Sequence, residues 1–329
     1  MVSLVTTGDQ PINEETLHLD DMVIPFQIEG IGIRGRVARL SPLVTDVMSR
    51  HDYPEPVATL LGEALTLVAL LGTALKFEGK FTLQTKTDGP VSMLVADYES
   101  PGNLRGYAHV DTDALAKVME SRMVKSEDLT GKGYLALTID QGVDMERYQG
   151  IVELGDGGLA EAAHEYFDQS EQIATKIRMA VGPLYERSAD GESEPKVTWR
   201  AGAIMVQHLP REGGLTGFRE PDEERKLTSE ELNWEHATVL LHSVTDAELL
   251  DPDVTADRLL YRLYHEDGVR VYSPVGVQFG CRCSRQKIEG VLNTFNQDDL
   301  NHMTENGRIE AKCEFCAEKY EFDPAEFAG

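Results

Sequence analysis

Basic side chains are scarce in this chain. Its 329 residues carry 31 Lys and Arg against 57 Asp and Glu, a formal net charge of −26 at neutral pH. Nucleic acid and anionic membranes are bound chiefly through Lys and Arg, so neither is an expected partner. The acidity reads first as a solubility device. The N-terminal stretch MVSLVTTGDQPINEE lacks a basic segment followed by an apolar run, so no secretory leader is expected. The longest apolar run, 57–77 (VATLLGEALTLVALLGTALKF), contains Glu63, Thr and Gly positions and little basic flank. It is expected to be a buried core helix and not a membrane span. No GxxxxGK[ST] pattern occurs, which removes the usual signature of a nucleotide-driven motor. Cysteine is as rare as it is localised, with four residues, all between 281 and 316. A chain without a leader is expected in the cytoplasm, where thiols stay reduced. Clustered cysteines there mean metal or redox chemistry and not a permanent disulfide framework.

What is present reads as an α+β protein. Composition is ordinary for a globular chain, 41% hydrophobic and 27% charged. Single cores stop growing at about 250–300 residues, so one large domain with something smaller is expected. Alternation over 26–40 (FQIEGIGIRGRVARL) reads as a half-buried strand bent at its glycines, and Ser41 as the cap of a helix through Met48. Strands are expected at 80–86 and 91–98 around the turn Asp88-Gly89-Pro90, and at 105–110, 134–139, 151–154, 176–181 and 204–209. Residues 158–167 carry helical periodicity. Hairpins outnumber any alternating strand–helix rhythm, so residues 1–210 are expected to form an antiparallel α+β core domain.

Two polar stretches follow, 183–196 and 211–227, read as a loop and as the start of a linker. Helix signals then resume. Thr228 with Glu231, and Thr245 with Glu248, have capping-box spacing. Trp234, Ala237, Leu241 and Val244 share one helical face, and Leu259 and Leu263 stack one turn apart before Gly268. Across 211–250 ten acidic residues face four basic ones. Helices with such narrow apolar stripes depend on docking for their stability, and 211–275 is read as a charged helical linker. The remainder, 276–329, is a module too small to hold a strong core unaided.

All four cysteines lie in that module, as Cys281-Arg-Cys283 and, 29 residues on, Cys313-Glu-Phe-Cys316. Two close pairs joined by a loop suit the tetrahedral thiolate shell that zinc prefers, and one Zn2+ is expected on Cys281, Cys283, Cys313 and Cys316. His302 lies between the pairs, but four thiolates already fill the shell, so it is read as a surface residue. Structural zinc contributes about 10–16 kcal/mol in small peptides, enough to decide whether the module folds. Residues 281–329 carry six basic and ten acidic side chains, which argues against a nucleic-acid ribbon. A closed shell leaves no coordination position for catalysis, and no enzyme is expected. Four crowded thiolates are also oxidisable, and oxidation would withdraw the ligands. Neighbours in sequence, Cys281–Cys283 and Cys313–Cys316, are the nearest disulfide pairings, although three connectivities are possible. Spacing alone leaves a redox switch, a purely structural zinc in a protein-binding module, and a thiol oxidoreductase using Cys313 and Cys316 as alternatives.

The pattern CxC, about thirty residues, then CxxC at the C-terminal end resembles the 33-kDa heat-shock family of redox-regulated bacterial chaperones. Other segments share the resemblance in order: HDYPEPV (51–57), KFEGKFTLQTKTDGPV (76–91), RYQGIVEL (147–154), EYFDQSEQ (165–172) and RLYHEDGVRVY (262–272). The chain departs from the pattern in its acidic stretches 183–196 and 211–227 and in Arg200-Ala201-Gly202-Ala203. The resemblance implies an ATP-independent holdase of the stress response. Its reduced form binds zinc through the four cysteines and is inactive. Oxidants such as peroxide with heat, or hypochlorous acid, form two disulfides with loss of zinc, and the module and linker unfold. Homodimers then capture unfolded client proteins. Apolar linker faces such as Trp234, Leu241, Leu259 and Leu263 become candidate client-binding residues.

Overall fold

The computed structural model describes residues 3–4, 20–74, 78–120, 124, 126–142, 145–186, 195–208 and 227–327. In chain order the elements are β1 (Ser3–Leu4), β2 (Met22–Ile28), β3 (Ile33–Leu40), α1 (Pro42–Ser49), α2 (Glu55–Gly72), β4 (Lys80–Thr87), β5 (Val91–Glu99), β6 (Asn103–Val110), α3 (Thr112–Met119) and α4 (Ser126–Thr130). Then come β7 (Gly133–Asp140), β8 (Tyr148–Leu154), α5 (Gly158–Tyr166), β9 (Thr175–Glu186), β10 (Lys196–His208), α6 (Ser229–His242), α7 (Asp246–Leu250) and α8 (Ala256–Tyr264). The last are β11 (Val269–Val271), β12 (Val275–Gly276), β13 (Gln278–Phe279), α9 (Arg285–Leu292), α10 (Gln297–Met303), β14 (Thr304–Glu305), β15 (Arg308–Lys312) and β16 (Lys319–Phe322).

Among the described residues the strands form three sheets. The first runs β1-β11-β2-β3-β10-β9 with β12 also on β2, the second β13-β6-β5-β4-β7-β8, and the third β14-β15-β16. Pairing is antiparallel except at β1–β11 and β13–β6. The α+β class with antiparallel sheets is therefore the observed one.

α2 explains the apolar run. It packs on β4, β5 and β6 on one side and on β3, β9 and β10 on the other, and 78% of it is buried. Its length and composition suffice to cross a membrane. Here the same apolarity fills the space between two sheets, as the sequence predicts. Gly72 makes one approach possible, because a Cβ there would lie 2.3 Å from Cγ of Tyr98 on β5. A second core lies on the opposite face of the first sheet. There Ile24, Phe26, Ile28, Val37, Ile204 and Val206 meet Ala237, Leu241, Leu249, Leu259, Leu260 and Leu263 of α6–α8. Both expected capping boxes are present, at Thr228/Glu231 and Thr245/Glu248.

Several expectations need correction. The alternation over 26–40 is not one strand. The chain reverses at Glu29–Ile31, with Gly32 at φ 69°, and β2 pairs with β3 from Met22↔Arg39 to Ile28↔Ile33. The alternation survives the reversal because Phe26, Ile28, Ile33 and Val37 face the same core. Ser41 does sit at the head of α1 but makes no side-chain cap. The carboxylate of Asp21 accepts from the Ser41 and Leu43 N–H groups at 2.9 and 2.8 Å instead. Part of the polar stretch 183–196 is strand, since β9 and β10 pair as far as Glu186↔Lys196. Paired backbone groups and the β-favouring Tyr185, Val197 and Trp199 extend this hairpin beyond its apolar part. Residues 187–194 of that stretch, and 211–226 of the polar stretch after the core domain, lie outside the described residues. α3 and α4 are not anticipated by the pattern, although Asp111 caps α3 by accepting from Asp113 and Ala114 N–H.

Candidate metal centre and the surface around it

The cysteine module has its own small core of Leu292, Leu300, Ile309 and Phe322. Such a core is too small to order the loops that carry the thiols. Local hydrogen bonds shape those loops instead. Ser284 follows the CxC motif and caps α9 by accepting from Lys287 N–H at 3.3 Å. After β15 the chain turns tightly: Cys313 N–H donates to the Glu318 carbonyl at 2.9 Å, and Ala317 N–H to the Cys313 carbonyl at 2.8 Å. Ala317 takes φ 57° to close this turn.

The turns aim backbone N–H groups at sulfur. Phe315 and Cys316 N–H point to the Cys313 sulfur, Glu318 N–H to that of Cys316, and Cys283 N–H to that of Cys281. Donors aimed at sulfur stabilise thiolate, the form that ligates metal. The four Sγ atoms lie within 4.8 Å of one another. Cys281 Sγ is 3.7 Å from Cys313 Sγ, and Cys283 Sγ is 3.3 Å from Cys316 Sγ. A tetrahedron with zinc–sulfur bonds of about 2.3 Å has edges near 3.8 Å, so the donor set fits zinc in number, chemistry and spacing. All four cysteines carry free thiols. Partial burial raises the Cys281 thiol, but hydrogen bonds from the Cys283 backbone and from the other thiols outweigh it and bring it down to about 7. Burial pushes Cys313 and Cys316 up. The Tyr320 hydroxyl donates to Cys283 Sγ at 3.2 Å, an outer contact that orients this ligand.

His302, expected at the surface, is exposed, bonds the Asp298 carbonyl at 2.7 Å and stands outside the sulfur cluster. Leu241, Leu259 and Leu263 are buried against the first sheet, with Trp234 partly buried beside them. The carbonyls that end α7 and its following turn, at Asp251 and Val254, both accept from the Arg39 guanidinium, the former at 2.6 Å. Arg178 holds the α6–α7 junction through the Val244 carbonyl at 3.2 Å and an ion pair with Asp246. None of these arginines is flagged by sequence, because nothing local announces a partner more than 60 residues away.

The module also grips the core domain through the residues between its cysteines. Arg282 donates to Glu99 at 2.9 Å and to Asp97 at 3.3 Å. Phe315 stacks edge-on against Tyr107 at 4.8 Å, and the Arg105 guanidinium lies 3.8 Å over its ring. His51 Nε2 sits 3.3 Å from the Phe315 carbonyl. β13 extends the second sheet beside β6.

Similarity to known proteins agrees with this architecture. The family model described as Hsp33 protein matches residues 21–323. The chain is 41% identical over 315 residues to the 33 kDa chaperonin of Caulobacter vibrioides, covering 95% of this chain and 98% of that one. It is 34% identical over 310 residues to the 33 kDa chaperonin of Azotobacter vinelandii, covering 94% and 93%. The fold resembles the crystal structure of the 33 kDa chaperonin of Thermotoga maritima, with a TM-score of 0.69 at 22% identity over 93% of this chain and 96% of that one. The relatives bear the name of a chaperonin and not of an enzyme, in keeping with a four-thiol site that suits ligation better than turnover. A family match across nearly all the described core, with two-fifths identity over almost the whole length, makes this chain a member of the Hsp33 family of chaperones.

Proposed function

We propose that this chaperone is a redox-gated, ATP-independent holdase whose switch is one zinc site on Cys281, Cys283, Cys313 and Cys316. The observation that carries the reading is the convergence of four free thiols within 4.8 Å of one another in a module with a core of its own too small to fold it. Zinc bound there would supply a structural cross-link, with no open position for chemistry. The chain divides on this reading into a core domain (1–210), a helical linker (211–275) and a switch module (276–329).

Oxidation acts on the ligands. A disulfide forms from two thiols with loss of two protons and two electrons, and peroxide accepts both to become two waters. The proposed pairs are Cys281–Cys283 and Cys313–Cys316. Oxidised sulfurs can no longer hold the metal, and the module loses its principal cross-link. The linker helices α6–α8 would follow, uncovering the apolar face of the first sheet together with Trp234, Leu241, Leu259 and Leu263 for unfolded clients. The large negative charge would keep the loaded complexes, expected as cytoplasmic homodimers, in solution.

The decisive experiment treats the reduced, zinc-loaded chain with peroxide at raised temperature. Zinc release, disulfide mapping and suppression of a client's aggregation are followed together. The reading expects all three to appear in step. Zinc release without any gain in aggregation suppression would sink it, and turnover of a dithiol substrate would favour an oxidoreductase.

A further inference from the structure

Two of the three side chains lying between the paired cysteines reach the core domain. Arg282, the middle residue of the CxC motif, reaches Asp97 and Glu99. Phe315, inside the CxxC motif, lies between Arg105 and Tyr107 of β6. Arg105 joins the two halves. Its Nε and Nη2 donate to Asp97 Oδ2 at 2.9 and 2.7 Å, its plane covers the Phe315 ring, and its Nη1 is 4.0 Å from Cys281 Sγ. Asp97 is almost wholly buried and receives Arg105, Arg282, Lys80 and the Thr82 hydroxyl. Gly280 N–H, just before Cys281, donates to the Leu104 carbonyl at 2.9 Å.

We propose that Arg105 is a positioning residue for the metal site, holding the CxC and CxxC loops side by side on β5–β6 so that docking of the module and ligation of the metal favour one another. The inference rests on the zinc reading above. Its physical basis is that the two states share one geometry. Arg105 can touch Asp97, Phe315 and Cys281 together only when both loops lie as they must for the four sulfurs to converge. By thermodynamic reciprocity, a core that favours the docked loops raises metal affinity, and bound metal raises the affinity of the module for the core. Charge acts in the same direction. Four thiolates around a divalent ion leave two negative charges uncompensated, and a partly buried guanidinium beside Cys281 offsets them. A planar guanidinium pairs with Asp97 and stacks on Phe315 at once, which an ammonium cannot do equally well.

The test is a double-mutant cycle in the full-length, reduced chain, using zinc affinity by chelator competition and the rate of thiol oxidation by peroxide in the zinc-loaded state. Arg105→Ala and Phe315→Ala are each expected to weaken zinc binding about five- to thirtyfold, in the range of ordinary site–site coupling, and to speed oxidation. The double variant is expected to lose less than the product of the two single effects, because either change already removes the contact between Arg105 and Phe315. Arg105→Lys should lie between Ala and the parent. Should Arg105→Ala disturb β6, as circular dichroism would reveal, Arg105→Gln with Phe315→Leu interrogates the same contact. Folded variants that keep parental zinc affinity and oxidation rate overturn the proposal, as do single effects that simply multiply. A parent chain that holds no zinc overturns the underlying zinc reading itself.

Discussion

A residue's role here is set by what its side chain reaches, often far along the chain. His164 on α5 is an example away from the cysteines. Its Nε2 accepts from Ile177 N–H on β9 at 2.8 Å, which leaves Nδ1 to donate to Glu161 at 2.9 Å, so the folded state needs the neutral ring. Burial lowers its pKa, and the pull of Glu161 in the other direction does not restore it. A depressed histidine contributes stability that is present above the ordinary value of about 6.5 and is lost as pH falls through the depressed one. Denaturant unfolding at a series of pH values should therefore show stability declining on acidification. His164→Gln keeps an acceptor for Ile177 N–H and removes the titration, so its decline should be shallower. Equal slopes in the two proteins would refute this role.

At the scale of elements, α6–α8 lie docked on the first sheet. The capping boxes at Thr228 and Thr245 mark where α6 and α7 begin and were legible in the sequence. Their hold on the first sheet was only half legible. The apolar stripe of Leu241, Leu259 and Leu263 is visible as periodicity, whereas the Arg39 clamp on the Asp251 and Val254 carbonyls joins residues more than 200 positions apart. Hydrogen bonds from a charged donor contribute about 1.5–3 kcal/mol each, and less where solvent reaches the acceptor, as at these partly buried carbonyls. Arg39→Ala should accordingly raise amide exchange in α6–α8 while the cysteine module keeps its zinc. The reduced variant should then suppress client aggregation without oxidant. Linker exchange equal to the parent's would show that Arg39 does not hold these helices.

For the whole molecule, two apolar cores and the cysteine module are coupled through strands that return late in the sequence. β11 and β12 join the first sheet and β13 the second, so the segment carrying the thiols is tied to both core sheets before Cys281 is reached. This tether makes the effect of metal removal specific. Chelation of the reduced chain should speed amide exchange across 280–327 and, to a smaller degree, in α6–α8. The β3–β10 pairing should stay protected, because Ala38 and Leu40 of β3 and Ala201, Ala203 and Met205 of β10 remain buried on the α2 side of the sheet. Loss of protection throughout the chain would instead mean that module and core unfold as one unit.

The sequence by itself determined that four thiols share one small module, the buried character of α2 and most strand positions. Each rests on local composition or on a period of two or 3.6 residues, which the backbone imposes wherever it is folded. Only the tertiary structure decided that 26–40 is a hairpin, since one alternation serves either a long strand or two short ones facing the same core. It also decided what surrounds the four cysteines. Arg105, Tyr107, Asp97 and His51 precede Cys281 by more than 170 residues, and side-chain contacts across such a separation leave no periodic trace. The cysteine spacing thus announces a cluster able to hold a metal ion, while the surface against its loops exists only once β5 and β6 are paired.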